Sequence, residues 1–370
     1  MSAATGAPYR ADHVGSLQRP AALRAARKRH FDDGALGAEE LRAIEDEAIA
    51  EAVLRQQDVG LPAVTDGEFR RAFWHYDFID GIDLVEKDEG IAFQSAGLKP
   101  LYPAITGPIR FRGHPMVADF QYLARTAKAQ PKISIPAPSA AHFRTLKEDV
   151  GPPEYADRDR LFADLTAAWR DAVRAFYDAG CRYIQLDEVF IAYLCDPAIR
   201  AERTAAGDDP DALIAAYAAM IDGAVRGRPA DMVAAMHLCR GNFRSTFVAS
   251  GGYDPAAEVI FNDIDADIYF MEYDSDRAGG LSPLAALPKG RKRVMPGFIT
   301  TKSGELESLD AIRRRFDEAA QYADLGQLGI APQCGFASTE EGNLISERDQ
   351  WRKLDLVVRV AEKIWGGVAA

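Results

Sequence analysis

Cysteine is scarce in this chain, with four in 370 residues, at positions 181, 195, 239 and 334. So few thiols, so widely scattered, exclude a disulfide framework, and a cysteine with a role is read as a metal ligand or nucleophile. Long apolar runs are missing too. No segment approaches the ~18 uninterrupted apolar residues of a membrane-crossing helix, and Met1 to Arg10 shows no basic stretch followed by an apolar core. The expectation is a cytoplasmic protein with no membrane partner. Basic charge is also short, with 44 Lys and Arg against 56 Asp and Glu, a formal net charge of −12. Nucleic acid and anionic membranes favour basic surfaces, so neither is expected as a partner. No internal repeat recurs at a period of roughly 20–50 residues.

What remains is ordinary globular material, 48% hydrophobic and 27% charged. Short apolar runs alternate with amphipathic helical stretches, the pattern of parallel β/α units. Eight runs read as strands: Asp12–Leu17, Ala63–Glu68, Ile133–Pro138, Tyr183–Glu188, Met232–Cys239, Ile268–Asp274, Arg293–Phe298 and Ile330–Phe336. Helices are expected at Ala38–Gln57, Arg158–Ala179, Pro210–Arg226, Leu309–Ala323 and Ser346–Ile364, several opened by Asp or Ser. Eight such strands predict an α/β fold, a (β/α)8 TIM-type barrel, as a single domain over residues 1–370. The stretch 69–130 is too long for one connection and reads as an insertion at the barrel mouth after the second strand. Its Gly/Pro-rich piece Pro103–Arg112 reads as a short hairpin.

In such barrels chemistry gathers at the C-terminal strand ends. Polar residues finish otherwise apolar runs here at Gly15-Ser16, Asp66 and Glu68, Asp187 and Glu188, His237 and Cys239, Glu272 and Asp274, and Cys334. His237 and Cys239 share a strand face, being two residues apart. With Cys334 and Glu272 on other strand ends they offer one imidazole, two sulfurs and a carboxylate, a ligand set suited to tetrahedral Zn²⁺. Ligands so far apart in sequence, converging at a barrel mouth, argue for a catalytic metal. A thiolate-rich site suits activation of a substrate thiol, because Zn²⁺ lets a thiol bind as thiolate well below its free pKa.

These motifs, in this order, resemble the catalytic C-terminal domain of cobalamin-independent methionine synthases, and especially their short single-domain bacterial relatives. The likeness runs from about Tyr9 to Trp365 and includes Asp12-His13-Val14-Gly15-Ser16, Asp66-Gly67-Glu68, Ile184-Gln185-Leu186-Asp187-Glu188, Met236-His237-Leu238-Cys239, Met271-Glu272 and Pro332-Gln333-Cys334-Gly335. The resemblance implies Zn²⁺ ligands at His237, Cys239, Glu272 and Cys334. It implies that Val14, Gly15 and Ser16 hold the carboxylate of homocysteine, and that Glu68 and Asp187 hold its ammonium. Three departures stand out. The N-terminal half of the long enzymes has no counterpart, Pro103-Ala104 and Phe143-Arg144 replace folate-contacting residues, and Lys302 stands where the family has a proton-donating histidine.

Lys302 therefore reads either as a proton donor or as a grip for an anionic methyl donor, with His75 and His13 as alternative acids. The activity implied is that of a 5-methyltetrahydropteroyltriglutamate–homocysteine S-methyltransferase-like enzyme of methionine biosynthesis. Its methyl donor is left open between a methylated folate and a corrinoid, free or protein-bound. An alternative is alkylation of another thiol, as in the similar epoxyalkane–coenzyme M transferases. The acidic pair Glu68 and Asp187 favours a thiol bearing an amino group. A third reading is a non-catalytic zinc-stabilised barrel that binds a partner protein.

Overall fold

A computed structural model describes residues 9–79, 84–87, 102–145 and 147–369, with the backbone alone at 84–87 and 102. The strands, in chain order, are β1 (Ala63–Val64), β2 (Leu84–Lys87), β3 (Tyr102–Ile105), β4 (Gln130–Pro131), β5 (Ile133–Pro136), β6 (Tyr183–Glu188), β7 (Val233–Leu238), β8 (Ile268–Glu272) and β9 (Arg293–Gly297). Strands β5 to β9 form one parallel sheet in sequential order. Strand β1 runs parallel to β4, and Lys132 N donates to Val64 O where the chain passes into β5.

Two of the eight expected strands, Asp12–Leu17 and Ile330–Phe336, are not regular ladders. Isolated bridges hold this part of the ring, from Ala11 to Ile330 and from Ile299 to Pro332. The cause is local, because Pro332 has no N–H to give and Gly15 takes φ 146°, outside strand geometry. Both segments still close the ring. Asp12 N donates to Ile330 O, Leu17 N to Gly67 O, and Thr65 Oγ1 to Gly15 O. Eight chain segments thus follow one another around a closed α/β ring, the arrangement of a (β/α)8 barrel.

Strand alternation sorts the side chains. Tyr183, Ala235, Phe270 and Met295 pack with Val14 and Ala331 in a small cluster. Their neighbours Ile184, Met236, Met271 and Val294 join the larger core beneath the helices. An ion pair sits among the inward residues, with Lys132 Nζ 2.9 Å from Asp12 Oδ1 and both side chains fully buried. Tyr183 donates its hydroxyl to the other Asp12 oxygen. At the seam between β9 and the last segment, a Cβ on Gly297 would lie 2.3 Å from Gln333 Cα, so only glycine permits the approach.

The expected helices are present as Ala38–Val59, Arg158–Asp178, Pro210–Val225, Leu309–Ala319 and Glu347–Trp365. Side chains of Asp157, Asp209, Ser308 and Ser346 cap the last four by accepting from first-turn N–H groups. Within 69–130, β2 and β3 pair antiparallel, and the helix Pro115–Thr126 follows. The hairpin expected within Pro103–Arg112 does not form there. Only its first residues are in a strand, paired with 84–87, because Gly107-Pro108 ends β3 without turning it back. Among the described residues no helix is long and apolar enough to cross a membrane.

Candidate active site

His237 lies near the C-terminal end of β7, and Cys239 follows the strand by one residue, so the pleat carries both to one side. Cys334 arrives from the last segment of the ring. Ligand atoms of these three buried residues all lie within 4.8 Å of one another. The two sulfurs are 3.4 Å apart. Their shared hydrogen bond holds the Cys334 thiol well below its ordinary range and, with burial, pushes Cys239 above it. Among the described residues neither ring nitrogen of His237 has a nitrogen or oxygen partner, and the group that acts on the ring is the Cys334 sulfur. A buried polar group left so costs about 1–3 kcal/mol, which ligation would relieve. One imidazole and two sulfurs at this spacing fit Zn²⁺.

Three of the four expected ligands are therefore together, and Glu272 is engaged elsewhere. No Glu272 oxygen lies within that same distance of all three ligand atoms. Its Oε1 accepts from Arg240 N at 2.8 Å, and its Oε2 accepts from Arg277 Nη2 at 2.8 Å. Burial works to raise its pKa, but Lys302 and Arg277 overcome that and hold it at about 2.

The cluster opens on a cleft of about 680 Å³, counting its open mouth, whose wall includes Val14, Ser16, Glu68 and Asp187. Glu68 sits at φ 60°, a costly backbone for a non-glycine residue. Ser134 Oγ donates to it at 2.9 Å, and Arg71 Nη1 stands 3.6 Å away. Gln185 Nε2 donates to Asp187 at 2.7 Å. Burial raises both carboxyls, and in Asp187 the nearby Glu68 charge adds to it, so that Asp187 is pushed up to about 7. Two buried carboxylates on one wall repel each other and attract a cation. Gly15 does not line the cleft. A Cβ there would lie 3.1 Å from Glu68 Oε1, so the glycine makes room for that carboxylate. Among the described residues, the backbone N–H groups of Gly15 and Ser16 donate no hydrogen bond, and of the two residues Ser16 is on the cleft wall.

Lys302 does not line the cleft. Its ammonium lies 3.4 Å from Asp274 Oδ2 and 4.0 Å from Glu272 Oε2. His13 is buried off the cleft wall, whereas His75 is on it, its ring between those of Trp74 and Tyr76. Burial, and then the charge of Arg144, push His75 well below the ordinary histidine range, so it is neutral. Tyr193 and Asn242 also line the cleft, and sequence reasoning had not assigned them to it; Arg144 lines it too, and the sequence marked it only as replacing a folate-contacting residue. The available signal was position, because Arg144 closes the short helix Ser139–Phe143 just after β5, where barrel loops carry function.

Comparison with known proteins places this geometry. Residues 10–362 match the family model of the cobalamin-independent synthase catalytic domain. The uncharacterized proteins YxjH and YxjG of Bacillus subtilis are 45% and 44% identical, each alignment covering 97% of this chain and 95% of theirs. A 5-methyltetrahydropteroyltriglutamate–homocysteine methyltransferase of Nitratidesulfovibrio vulgaris is 24% identical over 88% of this chain, which is 38% of that protein. A Listeria monocytogenes protein provisionally named a vitamin-B12-independent methionine synthase superposes with TM-score 0.78 at 37% identity, covering 98% of this chain and 99% of that one. A B12-independent methionine synthase from Shewanella sp. W3-18-1, solved with selenomethionine, shares the fold at TM-score 0.73 and 20% identity over 97% and 98% of the two chains.

Proposed function

This chain belongs to the cobalamin-independent synthase catalytic-domain family, and we propose that it is a zinc-dependent S-methyltransferase that makes methionine from homocysteine. The observation that carries the reading is the meeting, on one cleft, of the His237, Cys239 and Cys334 cluster with the buried carboxylates Glu68 and Asp187. Zn²⁺ held by those three residues would let a thiol bind as thiolate near neutral pH. Glu68 and Asp187 take the ammonium of the acceptor, as a buried acidic pair does with a cation. The N–H groups of Gly15 and Ser16, with the Ser16 hydroxyl and the wall at Val14, take its carboxylate. Glu272 is a ligand in reserve, bound to Arg277 when it is not on the metal. Such an enzyme belongs in the cytoplasm, with a methyl donor that is a folate or a corrinoid.

A thiol lacking an amino group, alkylated by an epoxide or similar electrophile, would leave the Glu68 and Asp187 pair without a cation. Zinc content combined with methionine formation from homocysteine tests the proposal. A protein that binds no zinc, or that binds it and prefers a thiol without an amino group, would falsify it.

A further inference from the structure

Among the described residues, one cation on the cleft wall has no counterion. Arg144 is 97% buried by area, its exposure being 3%. Its backbone N–H donates to His142 O, but among the described residues its guanidinium donates no hydrogen bond and forms no ion pair, and its Nε is fully enclosed without an acceptor. Its Cζ lies 5.5 Å from the centre of the Phe190 ring. The contrast with its neighbours is sharp. Arg71 meets Glu68 and the Ser134 carbonyl, and Arg277 meets Glu272 and Asp274. Burying an unpaired guanidinium is costly, and the described residues, which supply carboxylates to other arginines at this end of the barrel, supply none here.

The groups beside Arg144 are those of a ligand site. Tyr193 lines the same cleft as Arg144 and the metal cluster. Its hydroxyl has no hydrogen-bond partner among the described residues. Neutral His75 lines the cleft as well, with both ring nitrogens unpartnered among the described residues.

We propose that Arg144, flanked by Tyr193 and His75, is an anion subsite that takes a carboxylate or other oxyanion carried by the second substrate, the methyl donor. The assignment to the donor rests on the function proposed above, in which the acceptor's own groups are all accounted for. Its thiol goes to the cluster, its ammonium to Glu68 and Asp187, and its carboxylate to Gly15 and Ser16. The planar fork of an arginine matches a two-oxygen anion, so the site would fix the donor's orientation as well as its charge. Its chemistry selects donors with a negative group within the span of the cleft and rejects neutral methylating agents.

Calorimetric titration of the zinc-loaded protein at low ionic strength tests this, with succinate, inorganic phosphate and methanesulfonate as probes, each with and without saturating homocysteine. At least one probe should bind the wild type in the presence of homocysteine. Arg144→Gln should weaken it tenfold or more, and Arg144→Lys should recover part of the loss. The homocysteine affinity of Arg144→Gln should stay within about twofold of wild type. Equal probe binding to wild type and Arg144→Gln, or no probe binding to either, overturns the subsite. If Arg144→Gln loses homocysteine affinity instead, the arginine holds the acceptor and the donor assignment is wrong. If homocysteine fails to bind the wild type while a probe still depends on Arg144, the proposed function falls and the donor assignment falls with it. The melting temperature of ligand-free Arg144→Gln supplies a check on folding. It should equal or exceed that of wild type, since an unpaired buried charge has been removed, and a large fall would make Arg144 a structural residue.

Discussion

Glu272 Oε2 and Arg277 Nη2 lie 2.8 Å apart, so the carboxylate expected as a fourth metal ligand is already the partner of a cation. With Lys302 only 4.0 Å from the same oxygen, Glu272 moves onto a metal only by leaving two positive charges. That exchange would cost energy, so Glu272 should contribute less to metal affinity than His237, Cys239 or Cys334. Cys239→Ser and Cys334→Ser should lose most of their zinc by elemental analysis. Glu272→Gln should lower zinc affinity by about tenfold at most. Full zinc retention in both cysteine variants would remove the metal assignment.

Homocysteine affinity should depend on pH through Asp187. Its carboxyl is pushed up to about 7, first by burial and then by Glu68. An ammonium binds the ionised form, so affinity should be highest above pH 7 and fall by roughly tenfold per pH unit below it, with proton release on binding. Asp187→Asn should bind more weakly by about 1–3 kcal/mol at pH 8 and lose most of that slope, with zinc intact. Titrations in buffers of different ionisation enthalpy measure both quantities. A flat wild-type profile between pH 5 and about 8 would exclude Asp187 as the ammonium partner.

The donor is where Lys302 matters. Its ammonium is held by Asp274 and Glu272 and does not reach the cleft wall, so it is poorly placed to protonate a leaving group there. Polyglutamylated methyltetrahydrofolate should be a poor donor alone, and a methylated corrinoid a better one. Lys302→Ala should leave transfer from the corrinoid within severalfold of wild type. Rapid methionine formation from folate alone, abolished in Lys302→Ala, would show that the lysine acts as the acid.

Stability of the barrel should hinge on Lys132 and Asp12, whose charged atoms are 2.9 Å apart with no solvent exposure. Lys132→Met strands the Asp12 carboxylate and should cost about 3–5 kcal/mol in urea unfolding. Adding Asp12→Asn should recover part of that, because the stranded charge is gone. A loss below about 1 kcal/mol in the single variant would mean that the pair is replaceable.

The ring of β/α units was legible in the chain because each unit is written locally. Apolar runs of strand length, helices of amphipathic spacing and Asp or Ser caps depend on neighbours in sequence, and the polar residues ending those runs mark the functional rim. His237, Cys239 and Cys334 were legible for the same reason, since each sits at the end of an apolar run. The edges of the barrel were less so. Proline and glycine reduce Asp12–Leu17 and Ile330–Phe336 to isolated bridges, and the strand paired with 102–105 lies at 84–87, some way back along the chain. Charge pairing was not legible at all. Whether Glu272 faces the metal cluster or Arg277, whether Lys302 faces the cleft or Asp274, and whether Arg144 has a counterion depend on distances between loops of different strands. Local patterning sets which face a side chain leaves from, but electrostatic partnership falls off with distance in space, and that distance exists only once the ring has closed.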